Sequence, residues 1–227
     1  MKKTAIIVLG APGIHEEMIC MSKSTWDSVH HPDINTYYLY GQRADLECQG
    51  APISKYHNIL VSDTPENREN ILAKTLNAFG WFLMQPYTYL FRTCSCSYIY
   101  KARMSEWLKD KPTTNFYAGC DGPWKGKDKA YVSGAGMFLS RDLVKLLYDN
   151  KEEVQRMYEC IDDVTIGKFL LSKGIQIYPE IMERCQMHTY ADKVPGFAHY
   201  HITTNFSDAE KPKIMWHIHQ EEKDLCL

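Results

Sequence analysis

Thr4 to Leu9, TAIIVL, is an unbroken apolar run rich in β-branched side chains, and it stops at Gly10-Ala11-Pro12-Gly13. A strand without apolar/polar alternation needs cover on both faces, which a sheet with helices on either side supplies. The chain continues in that grammar. A helix is expected from about Glu16 to Val29, then the strand INTYYLYG closed by Gly41, a polar loop to about Tyr56, and the short strand HNILVSD. In TPENRENILAKTLNAFGWFL, Thr64 suits an N-cap and Pro65 the first helical position, with Ile71, Leu72, Thr75, Leu76 and Phe79 on one apolar face. PYTYLFRT reads as a strand and CSCSYIYKARMSEWL as a turn and helix; NFYAG and AYVSGAGMFLS read as strands, followed by a helix at about Arg141 to Leu147. A charged helix, an acidic helix and a strand GIQIYPE follow, and the His-rich tail from Ile181 to Leu227 shows no clear period. Alternating strands and helices predict an α/β class with a largely parallel central sheet. Ligands of such sheets bind beyond the carboxyl ends of the strands, which here are Gly10, Asp63 and Arg92 to Cys96.

The 227 residues, 44% apolar, fit one medium domain with a substantial core, so residues 1–227 are read as a single unit without repeat or linker. A net charge of -2 provides no field for nucleic acid or an anionic membrane. In MKKTAIIVLGAPG the apolar run ends too soon for a signal sequence, and no stretch approaches the roughly 18 apolar residues that span a bilayer. Eight scattered cysteines in a chain with a real core point to reduced thiols and a cytoplasmic setting.

The segment from Tyr131 to Gly174 carries the chemistry: a glycine-rich turn, YVSGAGMFLSRDL, and later ECIDDVTIGKFLLSKG. Ile166, Phe169 and Leu170 recur at helical spacing and Gly174 stands where a helix closes, so one or both of Asp162 and Asp163 are expected at a helix N-terminus. One of them can simply cap that helix; the other is then a carboxylate able to take a proton from a hydroxyl.

The order of motifs resembles the Fringe and β-1,3-galactosyl/N-acetylglucosaminyltransferase families. STWDSVHHPDINTYYLYG is similar to their TW segment and strand, and NILAKTLNAFGWFL to their Lys-Thr helix with a downstream Trp. YVSGAGMFLSRDL is similar to their glycine turn, IDDVTIGKFL to the Asp-Asp-x-Thr-x-Gly acidic motif, and FAHYH to Phe-His-x-His. The resemblance covers about Ala5 to His201. It implies a GT-A fold and an inverting transferase that moves a sugar from a nucleotide diphosphate donor, usually UDP-linked, to an acceptor hydroxyl, here of a glycan or glycoprotein. It also implies a donor-binding half at about 1–96, an acceptor and catalytic half at about 97–205, and an irregular tail at 206–227. It puts the catalytic base at Asp162 or Asp163, and favours Asp163, where the related Glu-Asp-Val form of the motif aligns its aspartate. A carboxylate on the acceptor side, opposite the departing diphosphate, inverts the anomeric centre in one displacement, as the base carboxylate of an inverting glycosidase does.

The donor-binding residues expected on this basis are Gly10, Ala11, Asp63, Lys74, Arg92, Thr93, Ser95, Cys96, Gly134 and Gly136. Trp124, in DGPWKGKDKAY, is expected to stack on an acceptor sugar. The departure comes before YIYKARMSEWL. Family members hold Mn²⁺ there through an Asp-x-Asp-type triplet, whereas this chain has Cys94-Ser95-Cys96. Hard cations want carboxylate oxygens and thiolates suit softer metals, so the enzyme either works without metal, with Arg92 near the diphosphate, or holds Mn²⁺ through Asp63 and a histidine, His199 or His201. Cys94-x-Cys96 alone lacks the second pair of a zinc site. Two other readings stay open: a catalytically silent nucleotide- or carbohydrate-binding domain of the same fold, and a His/Cys metal-binding protein. The absence of an anchor departs from Golgi relatives and suits a soluble bacterial or viral enzyme.

Overall fold

The computed structural model describes residues 2–48, 51–120, 131–158, 161–192, 196–203 and 205–224. In chain order these form β1 (Thr4–Leu9), α1 (Ile14–Ser24), β2 (Ile34–Tyr40), β3 (Ile53–Tyr56), β4 (Ile59–Ser62), α2 (Ile71–Leu83), β5 (Tyr89–Cys94), β6 (Ser97–Ile99) and α3 (Lys101–Leu108). Then come β7 (Tyr117–Gly119), β8 (Met137–Ser140), α4 (Arg141–Asp149), α5 (Lys151–Arg156), α6 (Asp162–Ser172), β9 (Arg184–Met187), β10 (His199–Ile202) and α7 (Lys211–Asp224). Seven strands make one sheet in the order β3-β4-β2-β1-β5-β8-β7. The four at its centre, β4, β2, β1 and β5, are parallel, as the apolar runs predict; β3 and β8 are antiparallel to their neighbours.

β1 shows why its run is unbroken. Ala5 and Ile7 face a layer containing Leu72, Leu76 and Phe79 of α2, Leu143 and Leu147 of α4, and Phe169 and Leu170 of α6. Ile6 and Val8 face the opposite layer, with Met18 and Ile19 of α1, Met104 of α3 and Ile214 and Ile218 of α7. Alternate residues of one strand thus enter two separate cores. Because the central strands run together, Gly10, Gly41, Asp63 and Cys94 all lie at one edge of the sheet. β8 runs the other way, with Met137 opposite Arg92, so the turn preceding it reaches the same edge.

Four local expectations are corrected. Thr64 does not cap a helix: its hydroxyl pairs with Ser62 Oγ at 3.1 Å and α2 begins only at Ile71, with Asn67 Oδ1 accepting from the Asn70 N–H at 3.0 Å in the intervening turn. The loop before Tyr56 contains an edge strand, β3. GIQIYPE is not a strand: Gly174, at φ 81°, closes α6 while the Ile175 N–H reaches back to Leu170 O at 3.0 Å. Such a left-handed glycine with a reach-back bond is a helix C-cap, and it turns the chain before it can join a ladder. The described residues of the tail form regular elements too. β9 and β10 build a second sheet with β6 in the order β6-β10-β9, and α7 docks on α1 through Ile214, Met215 and Ile218.

Candidate active site

Arg92 ends a stretch of β5 that is otherwise apolar, and its side chain is buried among the helices of the α2, α4 and α6 layer. There Nη2 meets Asp162 Oδ2 at 2.6 Å, an ion pair with both partners over nine-tenths buried. Burial raises the Asp162 carboxyl above its usual range, and the Arg92 charge opposes that rise. Neither aspartate is the N-cap, which is Ile161 and caps with no side chain; both lie in the first turn of α6. Asp163 is the less buried of the two. Its Oδ2 accepts the Gly134 N–H at 2.8 Å and its Oδ1 the Val164 N–H at 2.8 Å.

The glycine turn fits this arrangement by subtraction. A Cβ on Gly134 would lie 1.7 Å from Arg92 Nη1, so the guanidinium occupies the space a side chain would need. At Gly136 a Cβ would meet Cys120 Sγ at 2.6 Å and His199 Cε1 at 3.2 Å. Gly167, the glycine of the acidic motif, lets α6 approach Tyr131 Cβ and the Tyr117 hydroxyl, which a Cβ would meet at 2.6 and 3.0 Å. Thr165 bonds Ile161 O at 3.0 Å. The motif from Asp162 to Gly167 is therefore a docking pattern that fixes α6 against Arg92 and the turn.

On the other face of β5, Thr93 donates to Ala135 O at 2.7 Å and shares a hydrogen bond of 2.8 Å with Ser97 Oγ. Ser97 Oγ lies 2.9 Å from His199 Nε2. His199 is fully buried, and burial holds its imidazole well below the usual pKa. At the strand's end Cys94 Sγ and Cys96 Sγ stand 2.8 Å apart, and one ligand atom from each cysteine and from His201 lie within 4.8 Å of one another. The Cys94 thiol is pulled well below its usual pKa by Cys96 first and His201 second, while Cys96 is pushed up. Ser95 Oγ is 2.7 Å from His15 Nδ1, and Lys211 and Asp208 of the α7 entry pair at 2.8 Å close by, near enough to act on Cys96 and His15.

Several expected residues take other roles. Lys74 was expected to face the donor; instead its ammonium is buried, bonding Gly10 O at 2.9 Å and Glu66 Oε1 at 2.6 Å. Burial lowers its pKa, partly restored by Glu66. Glu66, which the sequence reading missed, also accepts the Gly41 N–H, so one carboxylate ties the ends of β1 and β2 together. Arg92 likewise turns inward to Asp162 rather than outward to a diphosphate. Asp63 is exposed and accepts from Asn77 Nδ2 at 3.0 Å, away from both histidines' partners. Gly10 and Ala11 lie at the β1 end, where a Cβ on Gly10 would meet Ile19 Cδ1 at 2.7 Å. His199 is a partner of Ser97 and not of the thiols; His201 alone joins them. Trp124 lies outside the described residues.

The Mn²⁺ implied by the resemblance does not fit what is found here. Two thiols and an imidazole are a soft donor set, and a hard ion seeks oxygens.

The chain superposes over most of its length on solved glycosyltransferases. One is involved in the glycosylation of the major capsid of PBCV-1: TM-score 0.56, 13% identity, 94% of this chain and 99% of that one. A second is the galactosyltransferase LgtC in complex with donor and acceptor sugar analogs: TM-score 0.53, 12% identity, 93% and 95% covered. A third is apo GlyE of Streptococcus pneumoniae TIGR4: TM-score 0.53, 13% identity, 98% of this chain and 63% of that one. No protein-family model matches the sequence, and no curated protein does at a significant level. At such identities the likeness establishes the fold, which is GT-A. No helix among the described residues is long and apolar enough to cross a membrane.

Proposed function

We propose that this GT-A-fold chain is a glycosyltransferase that takes a nucleotide-diphospho-sugar, UDP-linked, and transfers the sugar with inversion to a glycan hydroxyl, Asp163 being the base. The observation that carries this reading is the division of labour between the paired aspartates. Asp162 is spent on Arg92, whereas Asp163 is less buried and is oriented through backbone N–H groups at the same sheet edge as Gly10 and Cys94. An acceptor hydroxyl, whose pKa lies far above 7, has to give up its proton as it attacks the anomeric carbon. A carboxylate held by main-chain bonds has its position set before the acceptor arrives. The Fringe-like order of the glycine turn and acidic motif supports inversion, and the motif residues pack as a unit in a way that such an order requires.

The departing diphosphate needs positive charge, and with Arg92 and Lys74 engaged elsewhere that role falls to the groups gathered at the end of β5. The charge there is the Lys211 ammonium, near enough to act on Cys96, and His15, 2.7 Å from Ser95 Oγ, adds a ring nitrogen beside it. The chemistry is tested by incubating the chain with a panel of nucleotide-sugars and acceptor glycans, following release of nucleoside diphosphate and reading the product's anomeric configuration by NMR. Asp163→Asn is expected to lower turnover by about 10²- to 10⁴-fold while donor affinity, measured by titration calorimetry, stays within a factor of two or so. Undiminished transfer by that variant refutes the assignment. A second reading, a silent nucleotide-binding domain, is favoured by the thiols at the expected metal position; donor binding with no turnover for any acceptor selects it.

A further inference from the structure

We propose that Cys94, Cys96 and His201 form a binding site for a soft or borderline divalent ion, Zn²⁺ by preference, at the end of β5. The three ligand atoms lie within 4.8 Å of one another. Tetrahedral coordination at the usual zinc–sulfur and zinc–nitrogen lengths separates ligands by roughly 3.3 to 3.8 Å, so small side-chain adjustments close the site. The thiols, 2.8 Å apart, have to part by about 1 Å to admit an ion at those lengths.

The scaffold is rigid. Cys94 is the last residue of β5, Cys96 lies in the turn into β6, and His201 is on β10 directly opposite Ser97 of β6. Ser97 Oγ is 3.4 Å from Cys94 Sγ and is itself fixed by Thr93 and His199, an outer layer of the kind that orients metal ligands. A second observation is compatible with it: His201 Nδ1, like His199 Nδ1, is buried with no hydrogen-bond partner among the described residues.

Two thiolates and a neutral imidazole neutralise a divalent ion, and up to two thiol protons leave on binding. Three protein ligands leave a fourth position, the arrangement of zinc sites that take water or substrate. The metal site stands on its own donor set; only the placing of a donor diphosphate oxygen at the fourth position rests on the transferase reading.

The test uses the full chain, reduced, stripped with chelator and titrated with Co²⁺ in the absence of nucleotide-sugar. One equivalent is expected to give a near-ultraviolet thiolate-to-cobalt charge-transfer band with the visible bands of a tetrahedral ion. Zn²⁺ is expected to bleach both and excess Mn²⁺ to leave them. His201→Gln is expected to weaken Co²⁺ binding by about 10- to 100-fold. Cys94→Ser with Cys96→Ser is expected to abolish the band, and Cys20→Ser to keep it. Because core-edge variants can misfold, the unmodified chain supplies a second measurement. Zn²⁺ is expected to protect Cys94 and Cys96, but not exposed Cys20, from alkylation. No charge-transfer band in the reduced chain, displacement of Co²⁺ by Mn²⁺, unchanged alkylation, or a Cys94–Cys96 disulfide that persists under reductant each overturns the site. Metal binding without any sugar transfer would leave the site standing and sink the transferase reading; transfer without metal binding would do the reverse.

Discussion

Replacing Gly134 by Ala is the sharpest probe of how the candidate site at the sheet edge is assembled. Gly134 does not have the left-handed backbone that strains side chains, so the whole penalty is steric. The added methyl would sit 1.7 Å from Arg92 Nη1 and 2.5 Å from Cζ, against the 3.4 Å of ordinary contact. Either the guanidinium withdraws or the turn lifts. If Arg92 withdraws, its 2.6 Å pair with Asp162 breaks and leaves two buried charges unpaired. Losing one partner of such a pair costs about 3–5 kcal/mol. For a chain of this length that lowers the midpoint of thermal unfolding on the order of 10 °C. If the turn lifts, the Gly134 N–H leaves Asp163, and a displacement of roughly 1 Å there is expected to cost about a hundredfold in turnover. Urea unfolding followed by tryptophan fluorescence measures the first cost and nucleotide release the second. Gly13→Ala is the comparator. At φ 84° and ψ -132°, a region essentially reserved for glycine, with nothing within 4 Å, it carries backbone strain of about 1–3 kcal/mol and no clash. A Gly134→Ala chain within 1 kcal/mol of the parent, turning over normally, would refute the account of the Arg92, Asp162 and Gly134 packing.

Two further outcomes test the frame around the site. Glu66→Gln keeps a hydrogen-bond acceptor but removes the carboxylate paired with the buried Lys74 ammonium, and is expected to cost about 2–4 kcal/mol in urea unfolding, whereas Glu66→Leu with Lys74→Met together is expected to cost less than the single change. Five buried phenols, Tyr38, Tyr40, Tyr87, Tyr89 and Tyr117, are raised chiefly by burial, Tyr40 and Tyr89 to about 12. A phenol whose folded value is raised contributes stability that is whole below pH 10 and is lost as pH climbs through the folded value. Stability should therefore fall above pH 10 by up to about 1.4 kcal/mol per unit for each such phenol, with Tyr38→Phe flattening the slope in urea midpoints taken from pH 9 to 11.

What the sequence discloses divides along the range of the interactions involved. β1, β2 and β5 are legible because their side chains face two cores and leave a long apolar signature, and α2 because its apolar face repeats along one stripe. β3 is obscured by its edge position, where no residue is fully buried and the apolar alternation fades. α7 is obscured because Trp216 and His217 on its outer face interrupt the signal of Ile214, Met215 and Ile218. The start of α2 misleads for a different reason: Thr64 and Pro65 make a good local cap, but Glu66 is drawn back to Gly41 and Lys74, and tertiary bonding overrides local preference. In the site, the acidic pair and glycine turn are visible as motifs. That Asp162 belongs to Arg92, 70 residues away, and that His201 rather than His199 reaches the thiols, depends on strand register that no local pattern encodes.

On the proposed reading, the two aspartates divide between them the building of a site and the chemistry in it. A single acid at the start of α6 would face conflicting demands. Fixing the helix calls for a buried, fully paired carboxylate, and taking a proton calls for one left accessible. Arg92 sits mid-sheet, and the ion pair it makes with Asp162 is enclosed by the α2 and α6 layer. Such a pair is weak evidence for net stability, since two well-packed apolar side chains would serve as well, but it is demanding about geometry. It tolerates no side chain at position 134, and so it fixes the turn whose N–H holds Asp163. Asp163 thus inherits its position from the Arg92–Asp162 pair, and this explains why the doublet, the arginine and the glycine act as one unit although they lie on three separate segments of the chain.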